Sequence, residues 1–388
     1  MRQQPSIAII GAGPAGLTAA NVFHLRGWQC QVFESDASAV SRDQGGSLDL
    51  HPEDGQLALK KAGLLEQFMA VARHEDQGLR IIDGTTGTLT REFAPTAGAG
   101  ERPEIDRDVL RQLLLAPLDG NIIHWNSCVH AVVIQPDGRT TLQLQEGVAG
   151  PFDLVIGADG AWSKVRLALT DAVPAYTGVT FVELWLDDVD QTHPAAAELV
   201  GHGTMFALRD QAGIIGQRNG KGRLRIYAAF RTRPEEGDRP DKTLINISRD
   251  ELLSRFTGWA PALTSLLREA DHIAAIRPIM TLPAKNSWPH QSGLTLIGDA
   301  AHVMPPLGTG VNLAMLDAAE LAESLINAAD WRQAVQDAER AMLDRSSAIA
   351  SQCIESFGEM FSQEAQQSWI DHFDAHHALP SSGTIPAV

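Results

Sequence analysis

Short β-branched runs alternate with stretches in which apolar residues recur every three or four positions, the pattern of buried parallel strands joined by helices. Ile7, Ile9 and Ile10 form the first such strand, Leu17 to Leu25 carries helical spacing, and Gln29 to Glu34 reads as a second strand. Leu154, Val155 and Ile156 repeat the strand signal, and Leu294, Leu296 and Ile297 repeat it again. Between these, Tyr176 to Leu186 alternates weakly. Thr204 to Phe230 reads as strands joined by turns at Asp210–Gly213 and Asn219-Gly220, which predicts an antiparallel sheet. From Met315 onward, apolar positions at helical spacing with charges between them predict two helices, Met315–Ala329 and Trp331–Phe361, that brace the two lobes.

Composition narrows the setting. With 388 residues the chain has more than one core's worth of material. A net charge of −17 argues against a nucleic-acid partner. Three scattered cysteines, Cys30, Cys128 and Cys353, suit neither a disulfide framework nor a metal cluster, so no metal site is expected. The apolar stretch Ile7–Phe23 is broken by Gly11, Gly13, Pro14 and Gly16, which is unlike a leader or a membrane span. The expectation is a cytoplasmic protein with no membrane partner, acting as a monomer.

The breaks in that stretch carry the first chemistry. Gly11, Gly13 and Gly16 fit G-x-G-x-x-G between a strand and a helix. The first glycine makes the turn, the second admits a pyrophosphate, and the third lets helix and strand pack closely. Glu34 closes the next strand, at the distance expected for a ribose-binding carboxylate. Spacing alone accommodates NAD or FAD. Gly157-Ala-Asp159-Gly160 follows another buried strand, where Asp159 is a ligand to the same crevice or a helix cap. Gly298-Asp299 ends a further strand and leads through Pro305, Pro306, Gly308 and Gly310 to Asn312 and a helix beginning near Val311.

Together the three segments resemble the FAD-dependent aromatic hydroxylases, the family typified by para-hydroxybenzoate hydroxylase, which carries GxGxxG, DG and GD motifs in this order. The resemblance implies an α/β fold: a Rossmann-like FAD-binding domain, a substrate-binding antiparallel-sheet domain and C-terminal helices. It divides the chain into an FAD-binding domain at 1–175 and 273–328, a substrate-binding domain at 176–272, and a bracing helical segment at 329–388. It implies that Asp299 bonds the ribityl chain, that Pro306, Gly308, Gly310 and Asn312 lie beside the flavin ring, and that the helix start faces the ring's N1–C2=O edge. It also implies transient NADPH, O2 as cosubstrate, and hydroxylation of an electron-rich aromatic or enolic molecule through a flavin C4a-hydroperoxide, with no catalytic side chain named. The chain departs from many relatives in its shorter Leu307-Gly-Thr-Gly-Val-Asn312 loop.

Two further stretches, from Arg42 to Leu65 and from Arg102 to Leu115, resemble the tetracycline-inactivating flavin monooxygenases. That likeness implies that Arg42 meets NADPH, that Asp49 and Arg107 meet FAD, and that Glu183, Gln217 and Arg225 line the pocket. Met360 is a candidate to close it, with core packing as the alternative. His302 reads equally as structural. The substrate expected is a phenol or polyketide, tetracycline among them. A nicotinamide dehydrogenase leaves the second and third motifs unexplained, a flavin halogenase lacks its Trp-x-Trp-x-x-Pro segment, and a non-catalytic FAD sensor is the rival from a different class.

Overall fold

The computed structural model describes residues 4–41, 45–94, 102–232, 247–365, 367, 369 and 370. A five-stranded parallel sheet runs in the order Leu294–Leu296, Leu154–Gly157, Ile7–Ile10, Cys30–Phe33, Ile123–His124. The strand Ile7–Ile10 has no exposed residue, as a strand covered on both faces requires. Register decides what this sheet can do. Ile10 pairs with both Phe33 and Gly157, and Gly157 pairs with Leu296. Four strands therefore end level, and the loops that leave them share one crevice. Helix Pro14–Leu25 begins with proline at its first turn and packs against helix Thr309–Asn327.

The second sheet has seven strands, in the order His272–Thr281, Ala175–Leu186, Arg223–Arg231, Ala212–Asn219, Gly203–Arg209, Gly78–Ile82, Leu89–Phe93. It is wider than residues 176–272. Strands 78–82, 89–93 and 272–281 extend it with chain that the sequence reading gives mainly to the FAD-binding half. It is antiparallel except where Gly203–Arg209 lies parallel to Gly78–Ile82. The turn expected near Asp210 is a two-residue hairpin, with φ of 50° at Asp210 and 66° at Gln211 between paired Arg209 and Ala212. Positive φ at both positions gives the twist that flanking strands need.

Period-two alternation sorts the faces of this sheet. Leu224, Ile226, Ala228 and Phe230 pack into one core with Val182, Leu184 and the short helices Arg249–Ser254 and Pro261–Arg268. The opposite face looks toward the parallel sheet and divides in two. Phe181, Phe206, Ile215 and Ala229 form an apolar half, while Glu183, Gln217 and Arg225 form a polar half.

Helix Trp331–Met360 spans 30 residues, about 45 Å at 1.5 Å per residue. Its early residues Val335 and Met342 join the core of the parallel sheet. Its late residues Ala350, Cys353, Phe357 and Met360 pack on the apolar half of the other sheet. One helix thus spans both cores. No helix among the described residues is long and apolar enough to cross a membrane.

Phe357 is 2% exposed and lies against Phe181 and Phe361. Phe357→Ala is expected to cost about 3–5 kcal/mol of unfolding free energy, read by urea denaturation. A loss under about 1 kcal/mol would show that the helix does not fold with the sheet.

Candidate functional site

The crevice is built from backbone before side chains. Gly11, at φ +107°, approaches the 157–160 loop so closely that a Cβ would stand 2.3 Å from the Ala158 carbonyl oxygen. A Cβ on Gly16 would stand 2.0 Å from the Gly11 carbonyl oxygen. Over Gly13, by contrast, there is open space. Two glycines close the turn and the third leaves room for a phosphate at the start of helix Pro14–Leu25. Glu34 is buried and braces this turn: its Oε2 accepts from the Ala12 amide at 2.6 Å and its Oε1 from the Asp36 amide at 2.8 Å. Arg111 sits beside it, its Nη2 3.8 Å from Glu34 in an ion pair and its Nη1 2.9 Å from Asp36, with Nε and Nη2 buried and without a hydrogen-bond partner.

Asp159 does what a cap does and leaves one atom over. Its Oδ2 accepts from the Lys164 and Val165 amides at 2.7 and 3.3 Å, while its buried Oδ1 has no partner. Asp299 follows Gly298, which holds φ +56° where a Cβ would meet Ala314 at 2.9 Å. The carboxylate is exposed to the crevice, within electrostatic reach of Arg107, Arg166 and His302. Arg166 clamps the two loops together, donating to the carbonyls of Ala161 and Ala172 on one side and Ala300 on the other.

The helix after the glycine loop starts at Thr309, two residues before the expected position, with Gly308 in the left-handed region as its cap. Gly310 faces open space and Pro306 is exposed. Asn312 is fully buried with its side-chain amide already engaged. Its Oδ1 accepts from the His51 amide, and its Nδ2 donates to the Asp49 and Gly308 carbonyls. Asn312 therefore ties the Asp49–His51 segment to the loop and has no side-chain donor to spare for a flavin. Burial opposes protonation of His51, but hydrogen bonds to Asp49 and Asp54 outweigh it and push its pKa up to about 9. His302 pairs with Asp317 on helix Thr309–Asn327, which Arg345 also holds, while its buried Nδ1 has no hydrogen-bond partner.

A second group approaches from the sheet. Strands Ser47–Asp49 and Glu104–Asp106 pair as a small arm, whose ends carry Gly45, Gly46 and Arg107. Arg73 fastens the arm by bonding Ser47 at 2.7 Å and Asp106 at 2.8 Å. Burial and the Asp49 charge push the Glu104 carboxyl up to about 8, against the pull of its Ser47 hydrogen bond and Arg73. Arg107 is exposed, yet the protein around it lowers its pKa, burial being the first cause. Tyr227, Arg225 and Asp299 lie within its electrostatic reach.

The sequence-proposed pocket residues fare unequally. Glu183 and Arg225 are buried and bonded to each other, and Glu183 also holds Arg277. Gln217 reaches the Ser47 carbonyl at 3.5 Å. Met360 is 2% exposed among Phe357, Phe361 and Ile279, so it packs the core and does not close a pocket. Arg42 lies outside the described residues. Sequence reasoning passed over Arg166, Arg111, His51 and Glu104, although the last three stand inside the stretches from Arg42 to Leu65 and from Arg102 to Leu115.

This donor set fits FAD. The open Gly13 turn suits a pyrophosphate, the unpartnered Asp159 Oδ1 and the free face of Asp299 suit hydroxyls, and the spare Arg111 donors suit oxygen acceptors. Bound there, FAD supplies redox chemistry that no side chain in the crevice can. The comparisons agree. The model of the FAD binding domain family matches residues 4–356. The monooxygenase asqM of Emericella nidulans is 34% identical over 373 residues, covering 82% of this chain and 83% of that protein. Among solved structures, HpxO of Klebsiella pneumoniae complexed with FAD and uric acid aligns at a TM-score of 0.79 and 20% identity, covering 95% of this chain and 93% of the other. The tetracycline destructase Tet(55) aligns at 0.72 and 21%, covering 98% and 99%. Fold and crevice define an FAD-dependent monooxygenase. The chain belongs to the FAD binding domain family.

Two outcomes separate the roles described. Asp299→Ala should weaken FAD binding by roughly tenfold or more, the loss of a charge-assisted hydrogen bond worth about 1.5–3 kcal/mol, with little change in melting. Asp159→Ala should lower the melting temperature, since it uncaps two amides. Equal flavin affinity in wild type and Asp299→Ala, measured by fluorescence titration of apoprotein, would remove Asp299 from the site.

The second outcome concerns pH. His51 titrates at about 9 folded against 6.5 unfolded, so its contribution is complete below pH 6.5 and lost as pH rises through 9. Glu104, at about 8 against 4.5, runs the same way, its contribution complete below pH 4.5 and lost through 8. Thermal stability should therefore fall from pH 4.5 to about 9, with the His51 share of the loss confined to the span above 6.5. His51→Gln should flatten that slope, and an unchanged slope would show that the Asp49–His51–Asp54 cluster does not hold the charge assigned to it.

Proposed function

We propose that the enzyme uses NADPH and O2 to hydroxylate an electron-rich aromatic or enolic small molecule. One observation carries this reading: the bare backbone of Gly45 and Gly46 lets Arg107, Arg225, Gln217 and the Tyr227 hydroxyl converge beside the parallel sheet's crevice, with Arg107 within electrostatic reach of Asp299. A substrate lodged there would meet the Phe181–Tyr227 ring pair of the sheet. Burial keeps Tyr227 protonated to higher pH than an exposed tyrosine, so it can donate a hydrogen bond to substrate oxygen. The chain's contribution is placement, exclusion of water and field; it supplies no nucleophile.

Tetracyclines are the particular substrates to try first. The Gly45–His51 and Arg102–Arg111 stretches support them, as does the shared fold with Tet(55). The Glu183–Arg225 ion pair weighs against them, because it engages two side chains assigned to the drug.

The test is NADPH consumption by FAD-loaded protein against phenols, indoles, tetracycline and oxytetracycline, with product masses recorded. The expected result is substrate-stimulated oxidation and a product heavier by one oxygen atom. Stimulation by a phenol but by neither drug would remove tetracycline alone. Flavin that is never reduced by NADPH in the presence of any aromatic would favour the sensor.

A further inference from the structure

Helix Arg107–Leu115 carries Arg107 and Arg111 four residues apart, and so on one face. Arg107 is exposed at the helix start, beside Gly45. Arg111 is buried, 3% exposed, and its helix is tied to helix Pro14–Leu25 through Asn21, whose Nδ2 donates to the Leu114 carbonyl at 2.7 Å. The Arg111 guanidinium lies 5.5 Å from the Trp125 ring centre, within cation–π range. Its Nη1 donates to Asp36 at 2.9 Å, and its Nη2 stands 3.8 Å from Glu34 Oε2.

The second distance is too long for a hydrogen bond, so Arg111 acts on Glu34 through its charge. Keeping a buried guanidinium whose Nε and Nη2 have no hydrogen-bond partner is costly, and Glu34 supplies a reason to keep it. Glu34 Oε2 accepts from the Ala12 amide at 2.6 Å, while Oε1 accepts from the Asp36 amide at 2.8 Å and the Ser35 hydroxyl at 3.0 Å. The carboxylate is thus fixed at both oxygens. Burying it is costly unless a cation stands beside it, and Arg111 supplies that cation. Ala12, the residue it braces, stands between Gly11 and the open backbone of Gly13.

We propose that Arg111 is a positioning residue for the adenylate half of FAD. It acts through Glu34, whose charged carboxylate holds the Ala12 amide and keeps the glycine turn in the form that takes a pyrophosphate. The inference concerns the cofactor cradle and is independent of which substrate the enzyme takes. Without Arg111 the Glu34 and Asp36 carboxylates lose the cation they share, and the Ala12 amide loses its fixed acceptor. The flavin half of the cradle lies on the loops after Gly157 and Gly298 and does not depend on that acceptor.

The test titrates apoprotein with FAD and with FMN, which lacks the adenylate half, and records the melting temperature of each variant. Arg111→Met should weaken FAD binding by about tenfold or more, the scale of one buried charge-assisted contact, and change FMN binding by less than about twofold. Arg111→Lys, which keeps the charge without the planar fork, should recover part of the loss. With Glu34→Gln already present, Arg111→Met should cost FAD no more than about threefold, because the carboxylate it serves has lost its charge. That remainder is what the spare Nε and Nη2 donors add directly. FAD and FMN weakened alike would mark Arg111 as packing for the whole domain and overturn the proposal. So would an equal FAD loss with and without Glu34→Gln, or FAD affinity that neither Arg111 variant changes. If Arg111→Met does not fold, Arg111→Lys carries the same comparison: a loss confined to the chain with Glu34 intact supports the proposal, and an equal loss overturns it.

Discussion

Everything in this molecule follows from four parallel strands that stop at the same level. Hydrogen bonds fix that level: Gly11 N donates to the Phe33 carbonyl, Ala158 N to that of Ile10, and Ile297 N to that of Gly157. At this point the chains turn so close together that a side chain on Gly11 would penetrate a neighbouring carbonyl. Glycine is required here by contact. The same crowding that forbids side chains leaves backbone amides and a helix start facing outward, which is the surface an anionic dinucleotide needs.

The crevice is held open by buried polar groups that each bond two loops at once. Arg166 joins the loop after Gly157 to the loop after Gly298, and Asn312 joins the helix start to the Asp49–His51 segment. Arg73 locks the Ser47–Asp106 arm, and the arm brings Arg107 up to Arg225 across Gly45. Glu183 does the same for the cations of the opposite wall. Buried networks of this kind cost a great deal when broken and specify one arrangement when complete. The helix Trp331–Met360, embedded in both cores, keeps the two walls at a fixed separation.

The dinucleotide crevice was legible in the sequence because its signals are local. Gly11, Gly13 and Gly16 stand within six residues, and each Gly-Asp pair directly follows an apolar strand. The clamps were not, because their partners lie far along the chain: Arg166 with Ala300, His51 with Asn312, Ser47 with Glu104. Nothing in residue spacing announces such pairs. Glu34 carries the expected carboxylate, but the structure shows it bracing the glycine turn. Met360 fell to the core because the helical stripe it belongs to faces the substrate sheet. The strands at 78–82 and 89–93 escaped the sheet assignment because neither shows clean alternation, being covered unevenly on its two faces.

The central claim is that the glycine turn and the Gly157–Gly160 and Gly298–Asp299 loops form one cradle reading an entire FAD molecule, adenylate half included. Calorimetric titration of the apoprotein with FAD, FMN and riboflavin tests it directly. The account predicts one FAD per chain, with FMN and riboflavin weaker by roughly a hundredfold or more, the worth of the lost pyrophosphate and ribose contacts at about 1.4 kcal/mol per decade. Equal affinity for FAD and FMN, or no flavin binding at all, would contradict it.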